Sequence, residues 1–480
     1  MPPPTLLHAR STGHRSLLLS LALLANISNL SCYGIAPFPK DGNVILITVD
    51  TLRADHLGCY GYEAIRTPVI DRLAAGGVRF RQAYAQSNIT IPSHISILTG
   101  LYVKDHGVSK NARSRLPRDI VNLGEVLEAA GFRTVAVTSN RILGPRIIRG
   151  IQRGFDAFYS PSEPERRAEA TNRAFFRWLK KHHHRRFFAW VHYFDPHMPY
   201  TPPPPYQALY YQDDPRDPRF ASMPDLAFPR AWLDPKSPSH RLITWLDGVQ
   251  DFRYVVSQYD GEISYTDAMI GELLSQLEAF GLARKTLVIV TADHGESLDE
   301  HGIHMRHVAL YEPVVRVPLI FWAPAVLRRP RVVDALVTSV DIMPTVLDIL
   351  DMPGPSGQMK GQTLLPLMAG LPDDGRHFVH AEHMDRSQVM VRSADWKYIE
   401  TLKRTSISDG FVLAKGQQEL YDLANDPSET VNLSGTHPMR VREFEDEIVR
   451  WRGSDAASLP SGSGQPTEIP DYLKALGYVE

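Results

Sequence analysis

Cysteine is nearly absent. The chain has 480 residues and only two cysteines, Cys32 and Cys59, too few for a disulfide framework. Excess charge is absent as well. The 52 basic and 54 acidic side chains leave a formal net charge of −2, which gives no general attraction to nucleic acid or acidic membranes. Long apolar runs are missing too. The one near the N-terminus, residues 17–24, is too short for a comfortable membrane span. What remains is ordinary globular composition, 43% hydrophobic and 22% charged. That length holds one large α/β domain and a smaller one. Nineteen histidines (19) and 37 prolines suggest metal sites and long loops.

The N-terminus reads as an export signal. Arg10, His14 and Arg15 precede the apolar run, and small polar residues follow it. Residues 1–31 are expected to be a leader, and the protein to be periplasmic or extracellular. Cys32, in Leu30-Ser31-Cys32, is a poor lipid-attachment site because Asn29 stands where a branched aliphatic residue is usual. Lipid anchoring at Cys32 stays open. Export would leave Cys59 with no partner other than Cys32.

Strand and helix signals alternate along the chain. Asn43–Val49 is a mostly apolar run that ends at Asp50, the pattern of a buried parallel strand. Residues 67–76 read as a helix with Thr67 as cap, Pro68 at its first position and Gly76 at its end. Residues 121–131 are predicted as a helix and 134–138 as a strand. Phe187–Tyr193 is a strand leading into Asp195-Pro196-His197. Residues 259–280 have helical apolar spacing at Ile263, Met269, Leu273 and Leu277, and residues 286–291 form a strand before Asp293-His294. The alternation predicts a mostly parallel sheet covered by helices on both faces. Residues 199–229, rich in proline, tyrosine and aspartate, read as a lid. The basic run at residues 180–186 reads as a solvated connector. Beyond residue 367 the pattern turns to short antiparallel strands around Trp396 and a helix at residues 439–451. The expected division is a catalytic domain at residues 40–375 and a C-terminal α+β subdomain at 376–480.

The strand ends carry the chemistry. Asp50, Asp293 and His294 each follow an apolar run, and ligands of open α/β sheets collect at that edge. Two carboxylates and an imidazole make a hard-to-borderline divalent site. Thr90 precedes Pro92, which suits the first turn of a helix. Its hydroxyl is expected at a helix N-terminus, where backbone N–H groups favour an anion. A metal at Asp50, Asp293 and His294 would activate that hydroxyl for in-line attack on phosphorus or sulfur. The plainer alternative is a threonine that only caps the helix.

The segment Thr90-Ile91-Pro92-Ser93-His94-Ile95-Ser96-Ile97-Leu98-Thr99-Gly100 resembles the sulfatase signature Cys/Ser-x-Pro-Ser-Arg-x-x-x-x-Thr-Gly. In that family the first residue becomes formylglycine, and threonine cannot be oxidised to that aldehyde. The resemblance runs through Val49-Asp50-Thr51-Leu52-Arg53, Thr67-Pro68-Val69-Ile70-Asp71, His192-Tyr193-Phe194-Asp195-Pro196-His197, Thr291-Ala292-Asp293-His294-Gly295 and Glu419-Leu420-Tyr421-Asp422. It implies an alkaline phosphatase-like α/β fold and a metal-dependent ester hydrolase. Asp50, Thr90, Asp293 and His294 are similar to one metal site of superfamily phosphodiesterases and phospho-group transferases that use threonine. Calcium, manganese and zinc are not distinguished. Thr51 stands where sulfatases keep a second metal-binding aspartate, and His94 where they keep an arginine. The resemblance makes His197 a contact to the ester and an acid for its leaving group. His307, with Asp195 or His197, is a second metal or anion group by the same resemblance, and Lys104, His106 and Asn111 fall near positions around the anion.

The expected substrate is a small-molecule, glycan-derived or lipid-derived anionic ester, bearing sulfate, phosphate or phosphonate. Two alternatives stand beside hydrolysis: phospho-group transfer on the same scaffold, and an inactive glycan-binding relative. A binding-only protein is expected to lose a metal residue, and none of the three is lost. Oligomeric state is not legible.

Overall fold

The computed structural model describes residues 34–226, 228, 230–372, 376–408 and 411–453. The leader at residues 1–31 and Cys32 lie outside the described residues, as does most of the segment beyond the C-terminal helix. The expected domain boundary at residue 375 falls at a gap in the described residues.

The main sheet has the strands β1 (Asn43–Val49), β2 (Val78–Tyr84), β3 (Arg133–Thr138), β4 (Ala157–Tyr159), β5 (Phe187–Tyr193), β6 (Thr286–Ala292), β7 (Arg316–Trp322) and β8 (Arg331–Thr338). Their order is β8-β2-β7-β6-β1-β5-β3-β4. Every neighbouring pair is parallel except those of β7, which runs antiparallel to both β2 and β6. In β1, β5 and β6 every residue is buried, as expected of strands covered on both faces. Helices α1 (Pro68–Gly76), α2 (Thr90–Thr99), α3 (Leu123–Ala129), α4 (Ala168–His182), α5 (Phe252–Ala279) and α6 (Ile342–Ile349) cover it. α1 and α4 pack on α5, while α3 and α6 pack on α2. The mostly parallel, helix-covered sheet is the architecture the alternating pattern implied.

Some local expectations change. Thr67 does not cap α1: its hydroxyl donates to Asp71 Oδ1 at 3.2 Å and accepts the Gly58 N–H at 3.1 Å. Asp267 of α5 takes over, accepting the Val69 and Ile70 N–H groups at 3.1 and 2.7 Å. α5 begins at Phe252 rather than residue 259, started by Asp251, which accepts the Arg253 N–H at 3.0 Å. α3 is shorter than residues 121–131 because Asn122 and Glu125 form a reciprocal capping box.

The second sheet is the antiparallel meander β9 (Val379–Glu382), β10 (Gln388–Arg392), β11 (Trp396–Thr401) and β12 (Gln418–Asp422). Alternation along its strands gives it two apolar faces. Val389, Val391, Tyr398 and Leu420 pack on helix α7 (Pro438–Arg452). Val379, Ala381, Met390 and Ile399 pack instead with Tyr84, Leu310 and Val315 of the larger unit.

Two parallel neighbours, β1 and β6, release the chain at one edge. Just past β6, Gly295 lies against the turn at Pro313: a Cβ on Gly295 would sit 2.0 Å from the Pro313 carbonyl oxygen. That atom is backbone and cannot yield cheaply. Gly295→Ala is expected to lower stability by about 1–3 kcal/mol through overpacking. Urea denaturation checks this, and an unchanged midpoint would contradict the packing described.

Candidate active site

Asp50 leaves the end of β1, and Asp293 with His294 leaves the end of β6. The strands run in parallel register, Val49 opposite Ala292, so the three side chains meet. Each offers one ligand atom, all within 4.8 Å of one another, and all three are fully buried. His294 Nε2 is 3.4 Å from Asp293 Oδ2 and 3.9 Å from Asp50 Oδ1. His294 Nδ1 lies 3.0 Å from the Gly295 carbonyl oxygen, which can only accept. The ring proton is therefore on Nδ1, and Nε2 presents its lone pair to the carboxylates.

Burial pushes the Asp50 carboxyl well above its usual range, with the Asn140 side chain and the Thr51 backbone offsetting only part of it. Burial does the same to Asp293, and the Asp50 charge adds to it. Burial holds His294 well below the ordinary imidazole range. Among the described residues, no hydrogen-bond donor reaches either Asp50 oxygen or Asp293 Oδ2 at normal geometry. Two ionised carboxylates this close and this dry repel each other and lack solvation. A divalent cation answers both costs, and an O, O, N donor set suits a hard-to-borderline ion.

Thr90 opens α2, and Ile89, not Thr90, occupies the cap position. The Thr90 hydroxyl turns away from the helix backbone. Its Oγ1 is 3.4 Å from His294 Nε2 and 3.5 Å from the Asn111 Nδ2. Asn111 is itself held through Oδ1 by the Ile91 N–H at 2.8 Å. Ser93 Oγ donates to the Asp293 carbonyl oxygen at 2.5 Å, which ties the first turn of α2 to the exit of β6. The C-terminal sheet braces this region from outside: the Glu382 N–H donates to Gln86 O at 2.9 Å, and the Asp385 N–H to Ser109 O at 3.1 Å.

Thr51 carries the strain of the site. Its φ is 53°, a left-handed conformation that is unusual for a β-branched residue. Tyr259 Oη donates to the Thr51 carbonyl oxygen at 2.7 Å and accepts the Arg53 N–H at 3.1 Å. Arg53 reaches Glu300 at 2.6 Å and the Glu296 carbonyl oxygen at 3.2 Å, joining the turn after β1 to the turn after β6. Nothing in the local sequence signals this conformation.

Two further imidazoles join His294. His307 lies 4.4 Å from His294 and 5.8 Å from His197, centroid to centroid. Each donates Nδ1–H to a backbone oxygen at 2.8 Å, His307 to Asn88 and His197 to Met198, so Nε2 is the basic nitrogen in both. Burial brings His197 down to about 4. Burial, with the neighbouring His197, brings His307 down to about 3.

Of the remaining residues singled out from the sequence, His94 stays at the site, its Nδ1 3.6 Å from Asp293 Oδ2, and the others turn elsewhere. Asp195 turns to α4, where it accepts the Ala168 N–H at 2.9 Å and faces Arg167 at 3.9 Å. Among the described residues, Asp50, Asp293 and His294 are the group of three or more close enough to share an ion. Lys104 lies 3.2 Å from Asp105 and 5.3 Å above the Trp451 ring of α7. His94 donates Nδ1–H to Thr90 O at 2.8 Å and accepts the Thr48 hydroxyl at 3.1 Å, so it supports the first turn of α2 from within. His106 packs beneath α2, with Nε2 3.1 Å from Ser96 Oγ. His192, assigned no role from its sequence position, has Nε2 3.6 Å from Asp50 Oδ2.

Comparison with known proteins matches the same region. The sulfatase family model covers residues 42–352, and the model for the C-terminal region of N-sulphoglucosamine sulphohydrolase covers residues 299–449. An arylsulfatase of Clostridium perfringens is 25% identical over 468 residues, spanning 83% of this chain and 92% of its own. The multifunctional alkaline phosphatase superfamily protein PehA of Trinickia caryophylli is 26% identical over 506 residues, spanning 86% of this chain and 96% of its own. The phosphonate monoester hydrolase of Agrobacterium radiobacter superposes with a TM-score of 0.66 at 22% identity, over 86% of this chain and 95% of its own. With the family model spanning most of the main sheet and the ends of β1 and β6, the chain belongs to the sulfatase family, sulfuric ester hydrolases of the alkaline phosphatase superfamily.

Proposed function

We propose that the protein is a metal-dependent ester hydrolase with Thr90 as nucleophile at the formylglycine position. The observation that carries this reading is the Thr90 hydroxyl 3.4 Å from His294 Nε2, beside two buried carboxylates and off the helix backbone. Asp50, Asp293 and His294 would hold calcium, manganese or zinc, which lowers the pKa of a neighbouring hydroxyl and polarises an ester oxygen. Thr90 itself is the fourth group of that set.

The chain's own residues divide the remaining work. Asn111 orients Thr90 Oγ1 by donating to it. Thr90 Oγ1 gives its proton to solvent and bonds to the central phosphorus or sulfur as the bond to the leaving oxygen breaks, and solvent later returns a proton to His197. The leaving oxygen takes a proton from His197. That ring is neutral alone, and a bound anionic ester raises its pKa toward protonation. Water then displaces Thr90 Oγ1, releasing the anion and restoring the hydroxyl. A sulfated threonine has no aldehyde through which to expel sulfate, whereas a phosphorylated one is open to attack by water. A phosphate diester or phosphonate is therefore the preferred substrate, with a sulfate ester second. That a relative is named arylsulfatase and a structural neighbour phosphonate monoester hydrolase supports a scaffold able to serve either element. His307 and the second-metal role drawn for it are better read as anion contact. The division at residue 375 into catalytic and C-terminal parts fits the two sheets. Export through residues 1–31 fits a sequence in which no described helix is long and apolar enough to cross a membrane.

Matched aryl sulfate, phosphate monoester, diester and phosphonate substrates test the reading. Thr90→Ala is expected to lose at least about 10³-fold in turnover of the best ester, and Thr90→Ser to keep a measurable rate. Undiminished turnover in Thr90→Ala would remove Thr90 from the chemistry. Turnover only with an added alcohol acceptor would convert the hydrolase into a transferase. Asp50→Asn tests the charge argument separately. Without metal, it is expected to raise the melting temperature, by on the order of 1 kcal/mol of relieved repulsion, and to abolish ion binding. A lower melting temperature in calorimetry would contradict that argument.

A further inference from the structure

His192 stands inside β5, in register with Thr48 of β1 and Thr138 of β3, and is 0% exposed. A polar ring so placed costs free energy unless its nitrogens find partners. Nδ1 has a shared one: the Ser139 N–H, which donates to the His192 carbonyl oxygen at 3.0 Å, also lies 3.4 Å from Nδ1. A backbone N–H can only donate, so Nδ1 is the acceptor and Nε2 carries the ring proton. Among the described residues no hydrogen-bond partner reaches Nε2–H at normal geometry, and it lies 3.6 Å from Oδ2 of Asp50, a carboxylate that the Asn140 side chain also stabilises. That gap is a few tenths of an ångström beyond a hydrogen bond.

The two Asp50 oxygens are divided between two histidines. Oδ1 faces the lone pair of His294 Nε2 at 3.9 Å, and Oδ2 faces the proton of His192 Nε2. The His192 ring has little freedom to turn away. The His94 ring meets it edge-on at 4.9 Å, and Ser139 Oγ anchors its carbonyl oxygen at 2.7 Å.

We infer that His192 is a positioning residue for Asp50: its Nε2–H donates to Oδ2 and leaves Oδ1 turned toward His294 to bind the ion. This rests on the metal-dependent reading above. Such partners fix the direction of a ligating carboxylate and are typically worth about 10–100-fold in metal affinity.

The test uses the full chain after chelator treatment, as wild type, His192→Leu and His192→Gln. Calcium, manganese and zinc are titrated by isothermal calorimetry, and thermal unfolding without metal is recorded beside each. His192→Leu is expected to weaken the tightest-binding ion by about 10–100-fold. His192→Gln, whose amide can donate over the same reach, is expected to stay near wild type. The metal-free melting temperature of the leucine variant is expected not to fall. Equal affinity of His192→Leu and wild type overturns the inference, and so does an equal loss in both variants. A wild type that binds none of the ions sinks the metal-dependent reading itself, an outcome separate from those two. The ring proton is read independently by nitrogen-15 NMR of histidine-labelled protein. An Nε2-protonated neutral His192 is expected, and an Nδ1-protonated ring overturns the inference even if the leucine variant fails to fold.

Discussion

Repulsion between two buried carboxylates organises this protein. Asp50 and Asp293 each place a carboxylate oxygen within 4.8 Å of the other's, with full burial and three oxygens that no donor among the described residues reaches at normal geometry. Such a pair is costly unless it is protonated or balanced by a cation. Burial alone favours protonation of both carboxyls. His294 adds a neutral lone pair rather than a charge, and the rings of His197 and His307 are held neutral as well. On the proposed reading, the region receives positive charge from outside the chain.

Holding that arrangement takes the whole sheet edge. Three adjacent parallel strands, β5, β1 and β6, deliver His192, Asp50 and the Asp293-His294 pair. Thr51 accepts a strained left-handed backbone, a cost of order 1–3 kcal/mol, and Tyr259 and Arg53 brace the turn that carries it. Strain of this kind persists where neighbouring structure over-determines it, and here it sits beside the carboxylate that most needs a fixed direction. On the other side, α2 is tied to the exit of β6 through Ser93, so Thr90 and Asp293 move as one body.

Much of this was legible in the sequence, and the exceptions have physical causes. Asp50, Asp293 and His294 are readable because each ends a run of residues buried on both faces. Thr90 is readable from its place before Pro92. The direction of a strand-end carboxylate is not readable: Asp195 looks like Asp50 in sequence, yet it turns to the first turn of α4. His192 hides inside a strand, where a histidine looks like any inward residue. β7 carries Pro318, which argues against a central strand. The sheet accommodates it because the β2–β7 ladder shifts register between Phe80 and Ala83, and Pro318 is absent from the paired positions. The cap of α1 comes from Asp267, about two hundred residues away, beyond the reach of any local capping rule.

The chemistry follows from one substitution on this frame. On the proposed reading, Thr90 supplies one secondary hydroxyl at a helix N-terminus where a formylglycine would supply a geminal diol, and the burden of activating it falls on whatever charge Asp50, Asp293 and His294 hold. The most direct measurement is the metal content of protein purified without chelator, by plasma mass spectrometry, for wild type and the Asp50→Asn, Asp293→Asn double variant. The account expects one divalent ion per chain in the wild type and none in the variant. A wild type that is active yet carries no ion, or a variant that keeps its ion, would contradict it.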